Sequence, residues 1–214
     1  MPRPLILLFA AIVLAMPVRA DTTLIELFAS HNCRASDKAH ATLARIHEAR
    51  EDVLILTWSV DYWDYLGEDD PMAMPEGKAR QAAYVDKFGL RGAYTPQTVY
   101  DGALQCPGNR ERDVTRAISR ARARPATGIA VAIGERSAQV TGQQPGELIL
   151  VDFLTRADSP RETGGKIHPV TGLTRLGAHE AGTSRHALPE CQSGCALIVQ
   201  DPDSQEVLAL ARVR

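Results

Sequence analysis

Four cysteines, Cys33, Cys106, Cys191 and Cys195, carry most of the reactive chemistry this sequence offers. Cys33 lies in Ser30-His31-Asn32-Cys33-Arg34-Ala35-Ser36-Asp37, between an apolar run (Leu24, Ile25, Leu27, Phe28) and a helix-like stretch. At a helix start, unpaired N–H groups and the helix dipole favour an anion, so a thiol there ionises more readily. The thiolate is the species that attacks a disulfide. His31 and Arg34 stand close enough in sequence to add positive charge. Ser36 occupies the position where a Cys-x-x-Cys site would carry its second sulfur. A serine hydroxyl can donate a hydrogen bond to a thiolate but cannot resolve a mixed disulfide. Two readings follow: Cys33 is a nucleophile released by another thiol, or it is an inert small residue at a turn.

Cys191 and Cys195 form a Cys-x-x-x-Cys motif around a turn-like Gln192-Ser193-Gly194. A local disulfide is the simplest reading, and its short loop makes it a modest staple. The alternative is a soft metal: two thiolates with His186 nearby would suit copper(I), as in a copper-delivery protein. The expectation is a disulfide and no metal.

The elements that position these residues fall into two textures. Leu24 to Ala29 and Val53 to Val60 read as buried strands, and Ser36 to Arg50 has helical period with Ala39, Leu43 and Ile46 on one face. Ser36 and Asp37 are the expected helix caps. Pro75 opens a helix running to about Phe88. Thr95-Pro96 precedes a strand from Gln97 to Tyr100, an Asp101-Gly102 hairpin turn and a return strand from Ala103 to Gln105. A helix from Arg110 to Arg124 closes this half. Beyond it, the runs 128–134, 138–141, 148–154, 195–200 and 207–212 read as short strands separated by Gly, Pro, Ser and Thr. The expected organisation is a signal peptide over residues 1–20, an α/β domain over 21–126 and a mostly antiparallel β module over 127–214.

The first segment has the three parts of a secretory signal: Arg3, an apolar run from Leu5 to Met16, and Val18-Arg19-Ala20 before the cleavage point. The run falls well short of the roughly 20 residues that span a bilayer. A periplasmic or secreted protein with no membrane span after cleavage is therefore expected, in a compartment where thiols tend to pair. The full chain holds 24 Lys and Arg against 26 Asp and Glu, a net charge of −2. Losing Arg3 and Arg19 would make it more acidic, which argues against a nucleic-acid partner. Neither a dinucleotide nor a phosphate-loop glycine pattern occurs, so no organic cofactor is expected.

The order β-α-β-α-β-β-α of the first half is that of a thioredoxin-like domain. The stretches "LIELFASHNCRASDKAHATLARI", "VDYWDYLGEDDP" and "RGAYTPQTVYDG" resemble an exported bacterial family catalogued as domain of unknown function 1223, which has that fold. "RETGG" and "CALIVQ" are weaker echoes. The resemblance implies a Cys-x-x-Cys followed by prolines after the first strand; this chain departs from it with Cys33-Arg34-Ala35-Ser36-Asp37-Lys38.

In such a fold Cys33 sits at the strand-to-helix junction, and Thr95-Pro96 is a cis bond facing it as a substrate platform. The hairpin returns the chain to the same edge at Cys106, a candidate resolving thiol for Cys33. Tyr62, Trp63 and Tyr65 offer either an apolar substrate rim or packing over the core. Asp61 and Asp64 are either proton acceptors or turn caps. The reading this supports is thiol-disulfide exchange on exported proteins that carry thiols or disulfides. Cys33, Ser36 and Cys106 form the chemical set, with Thr95, Pro96, Tyr62 and Trp63 binding substrate. The alternative is a non-catalytic binding or assembly factor on a degenerate redox fold.

Overall fold

A computed structural model describes residues 22–155 and 165–213. The signal segment and most of "RETGG" lie outside the described residues. The fold is mixed α/β, with three sheets and mostly antiparallel pairing. The first sheet has the order β2-β1-β3-β4, from β1 (Thr23–Ala29), β2 (Val53–Ser59), β3 (Gln97–Tyr100) and β4 (Leu104–Pro107). Strands β1 and β2 are parallel, and β3 runs antiparallel to both β1 and β4.

Both faces of this sheet are covered, which explains why β1 and β2 are apolar without alternation. Ile25, Leu27 and Ala29 face α1 (Arg34–Ala49) and α3 (Glu111–Arg122), packing with Ala39, Leu43, Val114 and Ile118. Leu24 and Phe28 face the other way, toward Tyr84 of α2 (Pro75–Lys87) and a second sheet. That second sheet has the order β11-β10-β7-β8, built from β7 (Gly146–Phe153), β8 (Val170–His179), β10 (Gly194–Gln200) and β11 (Val207–Val213).

Strand β10 is itself buried on both faces. Ala196 and Ile198 join the core shared with β1, while Cys195, Leu197 and Val199 meet a third sheet. The third sheet is β5 (Ala130–Ile133), β6 (Ser137–Gly142) and β9 (Gly182–Ala187). The layers therefore run α1 and α3, first sheet, then α2 and the second sheet, then the third sheet. The C-terminal strands share a continuous core with the N-terminal sheet.

A buried polar cluster crosses that shared core. Glu26 of β1 accepts from Trp58 Nε1 at 2.9 Å, from Tyr84 Oη at 2.6 Å and from both Arg80 Nε and Nη2. Arg80 Nη1 donates to Gln200 Oε1 of β10 at 2.9 Å. Four of these five residues are at most 4% exposed and Arg80 is 7% exposed. The carboxylate and guanidinium thus satisfy each other, as a buried ion pair requires.

The Asp101-Gly102 turn makes a second tie. Both residues have positive φ (47° and 64°) within a three-residue connection, since Tyr100 pairs with Leu104 and the Ala103 amide donates to the Tyr100 carbonyl at 2.9 Å. Asp101 O accepts from Val207 N at 2.9 Å. A Cβ at Gly102 would run into the Gln205 carbonyl.

Strands β8 and β9 are the elements that the hydrophobic pattern misses. Most of their side chains are exposed or half-buried, and β9 reads Gly-Thr-Ser-Arg-His-Ala. Backbone pairing, rather than a periodic apolar face, holds them in place.

Candidate functional site

Cys33 is the N-cap of α1, with extended backbone (φ −104°, ψ 103°) and no side-chain capping bond. The expected caps Ser36 and Asp37 lie inside the helix instead. The displacement matters chemically, because it puts the thiol itself at the amide-rich end of the helix.

Cys33 Sγ lies 3.7 Å from the Thr95 carbonyl oxygen, and Thr95-Pro96 is a cis peptide bond. Ser36, fully buried, sits one turn into the helix with its amide on the Cys33 carbonyl at 2.8 Å. Partial burial pushes the Cys33 thiol up. Hydrogen bonding from the Thr95 and Ser36 side chains and from the Ser36 and Ala35 amides outweighs it, and the net result is a lowered pKa.

The loop carrying Thr95 is fixed from several sides. Trp63 Nε1 donates to Thr95 Oγ1 at 2.8 Å. Buried Gln81 of α2 donates to the Tyr94 carbonyl at 2.9 Å and to Gln97 Oε1 at 3.0 Å. The Gly108 amide holds the Pro96 carbonyl at 3.0 Å. Trp63 thus holds the Thr95-Pro96 loop in place. Tyr62 packs beside it, with ring centroids 5.9 Å apart. Its hydroxyl is buried without a well-aligned hydrogen bond among the described residues. Burial first, and the charge of Cys33 further, push it up to about 12, while the Gln81 and Thr95 side chains pull partly back. Tyr65 and Leu66 stand out into solvent, 77% and 58% exposed.

The aromatic loop is strapped to the cysteine turn. Asn32 Nδ2 donates to Asp64 Oδ1 at 3.3 Å and to the Glu68 carbonyl at 2.8 Å. His31 N donates to Asp70 Oδ2 at 3.2 Å. Asp70, 4% exposed, is paired with Lys166 Nζ at 2.9 Å. Asp61 pairs with Lys78 at 3.2 Å. The two aspartates of the motif therefore hold the loop through Lys78 and Asn32. Nothing in the sequence marked Lys166 as the counter-ion of Asp70, because the two lie far apart along the chain.

Cys106 and Cys33 are both free thiols. Cys106 is directly opposite Thr98 in the β3–β4 ladder, and its sulfur faces Tyr100 Oη at 3.4 Å and Thr98 Oγ1 at 3.6 Å. The direction of this network can be worked out. Thr98 Oγ1 donates its one proton to the Cys106 carbonyl at 2.7 Å. It must then accept from Tyr100 Oη, 2.9 Å away, which leaves the Tyr100 oxygen to accept from the Cys106 S–H. The contacts of the Cys106 sulfur are to Tyr100 and Thr98 rather than to Cys33. The two expected partners are not bonded in this structure.

Cys191 and Cys195 form a disulfide, with Cα atoms 5.9 Å apart. In that form they offer no thiolates to a metal. His186 is engaged elsewhere, 2.9 Å from Ser184 Oγ. No group of three or more His, Cys, Asp or Glu side chains able to hold a metal ion occurs among the described residues. No helix among them is long and apolar enough to cross a membrane.

The sequence pattern described as "protein of unknown function (DUF1223)" matches residues 24–158. The chain belongs to the DUF1223 family. That span runs from β1 through the cysteine turn, the aromatic loop and the cis Thr95-Pro96 bond to just past β7. No curated protein matches the sequence. Among solved structures, a structural-genomics protein from Agrobacterium tumefaciens is similar with a TM-score of 0.71 at 22% identity, over 89% of this chain and 93% of that one. HBP35 of Porphyromonas gingivalis is similar with a TM-score of 0.57 at 12% identity, over 90% and 74%. At such identities the likeness is one of fold.

Proposed function

We propose that this DUF1223 protein has a thioredoxin-like N-terminal domain (21–126) followed by an antiparallel β module (127–214). On this reading it is an exported, periplasmic or secreted protein that performs thiol-disulfide exchange through Cys33. The observation that carries the reading is the placement of the Cys33 sulfur. Its residue occupies the N-cap position of α1, and the sulfur lies 3.7 Å from the carbonyl of a cis Thr95-Pro96 bond and has a lowered pKa. The strand order β2-β1-β3-β4, with helices covering one face, supports the fold assignment.

With Ser36 in the second position, Cys33 acts as a monothiol. Its thiolate attacks a partner disulfide, a mixed disulfide forms, and the partner's other sulfur leaves. A second thiol, from the partner or from a small molecule, then attacks the mixed disulfide and frees Cys33. Ser36 stabilises the thiolate without competing for sulfur. The contacts that hold the Cys106 sulfur to Tyr100 and Thr98 argue against its being the resolving group in this conformation.

A second reading, a binding factor that holds an exported partner, draws on Tyr65 and Leu66 exposed beside an unpaired cysteine. One experiment separates the two. The folded protein lacking residues 1–20 is treated with limiting iodoacetamide, and separately with oxidised glutathione, and the modified peptides are identified by mass spectrometry. Exchange predicts that Cys33 alkylates faster than Cys106. It also predicts a glutathione adduct at Cys33 that dithiothreitol removes and Cys33→Ser abolishes. A Cys33 that reacts no faster than an ordinary cysteine and forms no adduct selects the binding reading.

A further inference from the structure

The antiparallel register of β7 and β10 places Asp152 directly opposite Cys195. Residues so paired project from the same face of the sheet. Asp152 Oδ1 consequently lies 3.1 Å from Cys195 Sγ. The sulfur is bonded to Cys191 and has no proton to give. The contact is therefore favourable when the carboxyl itself carries the proton and donates O–H to sulfur. Burial raises the Asp152 pKa, in the direction that keeps this proton on.

The position is confined on its other side as well. Gly172 of β8 stands opposite Asp152, and a Cβ there would come within 3.3 Å of Asp152 Oδ2. The carboxyl has room because that cross-strand neighbour has no side chain.

The two sulfurs differ in access. Cys195 is 1% exposed, whereas Cys191 is half-buried at the end of a turn whose Gln192 and Ser193 are exposed. An incoming thiolate can approach Cys191, and the sulfur that must leave is the one next to Asp152.

We propose that Cys191–Cys195 is a second, redox-active disulfide in the β module, with Asp152 as general acid and base for Cys195. The co-reactant is a thiol-bearing partner, either a protein dithiol or two small-molecule thiols. Its thiolate attacks Cys191 Sγ and forms a new S–S bond. The Cys191–Cys195 bond breaks, and its electron pair goes to Cys195 Sγ. Asp152 delivers its proton to that sulfur and becomes a carboxylate that accepts the Cys195 S–H hydrogen bond. A second thiolate then attacks the partner's sulfur in the mixed disulfide and expels Cys191 as a thiolate. The partner leaves oxidised to a disulfide and the Cys191/Cys195 pair is reduced. In the reverse direction the Asp152 carboxylate takes the Cys195 proton. This centre does not depend on Cys33.

The test uses the chain lacking residues 1–20 with Cys33→Ser, so that a failure here is independent of the Cys33 reading. The folded protein is exposed to millimolar dithiothreitol at mildly acidic pH, quenched, alkylated and mapped by peptide mass. The expected result is reduction of Cys191–Cys195 without unfolding, at a rate insensitive to low urea, and re-formation by oxidised glutathione. Adding Asp152→Asn, which preserves shape, should slow reduction about tenfold or more, as loss of a general acid does. Circular dichroism and the melting temperature of that variant establish that it is folded. Should it not fold, the urea dependence of the Cys33→Ser protein decides alone. Reduction that occurs only through unfolding, or an Asp152→Asn variant that folds and is reduced as fast as its parent, would overturn the proposal and leave the disulfide a staple.

Discussion

At the scale of single residues, the site turns on what surrounds one sulfur. Ser36 is the donor that a second cysteine would have displaced. Ser36→Ala removes a hydrogen bond made to the thiolate and not needed by the thiol, so the Cys33 pKa should rise toward the ordinary value. The expected outcome is an upward shift in the pH midpoint of Cys33 alkylation and a several-fold lower rate at neutral pH, with a stability loss of about 1 kcal/mol because the buried Ser30 amide loses its Ser36 Oγ acceptor. A pH series of iodoacetamide rates checks it. Cys33 could be found from sequence because its cue is local: a cysteine between an apolar run and a helical period. Asp152 could not. It meets Cys195 only through the register of β7 on β10, and register is decided by which faces are buried across the whole sheet. The Thr98–Tyr100–Cys106 relay was equally hidden. The hairpin that returns Cys106 toward the platform edge was legible, but the hydroxyls that claim its proton depend on packing.

At the scale of elements, the Glu26–Arg80 pair joins β1, α2 and β10 through Gln200. Removing one member of a buried pair strands the other charge, at a typical cost of about 3–5 kcal/mol. Arg80→Leu should therefore lower the urea stability by about that amount. The double variant Glu26→Leu with Arg80→Leu should lose less than the sum of the two single variants, because no charge remains unpaired. A double-mutant cycle by urea unfolding measures the difference. Strands and helices of the N-terminal half were readable because burial on one or both faces imprints an apolar period. Strands β8 and β9 were not, since Thr, Gly, Arg and His dominate them. Glu26 itself sits inside an apolar strand, and neither its partner Arg80 nor Gln200, which Arg80 reaches in turn, carries a sequence mark that ties it to Glu26.

At the scale of the whole molecule, acid should loosen the fold through His40 of α1. Burial first, and the positive charge of Lys166 next, hold this imidazole at about 4, with Asp37 and Asp70 opposing. Its Nδ1 is buried with no hydrogen-bond partner among the described residues. The unfolded chain takes up this proton near the ordinary value of 6.5, so the folded state binds fewer protons between 6.5 and about 4. Stability from the neutral ring is complete above 6.5 and is lost as pH falls through that window, by up to about 3 kcal/mol. Urea midpoints followed from neutral pH downward should show the decline, and His40→Gln should flatten it.

The Arg80–Gln200 contact also has a consequence in time. A ribosome delivers the chain from its N-terminus at roughly 5–20 residues per second. Residue 80 emerges many seconds before residue 200, and β10 and β11 follow β1 to β9 along the chain. Until they arrive, α2 covers Leu24, Phe28, Trp58 and the Glu26 carboxylate, but Ala196, Ile198 and Leu210 do not yet pack there and Arg80 lacks its Gln200 acceptor. The first sheet of the N-terminal half therefore becomes a finished surface only after β10 and β11 have been made.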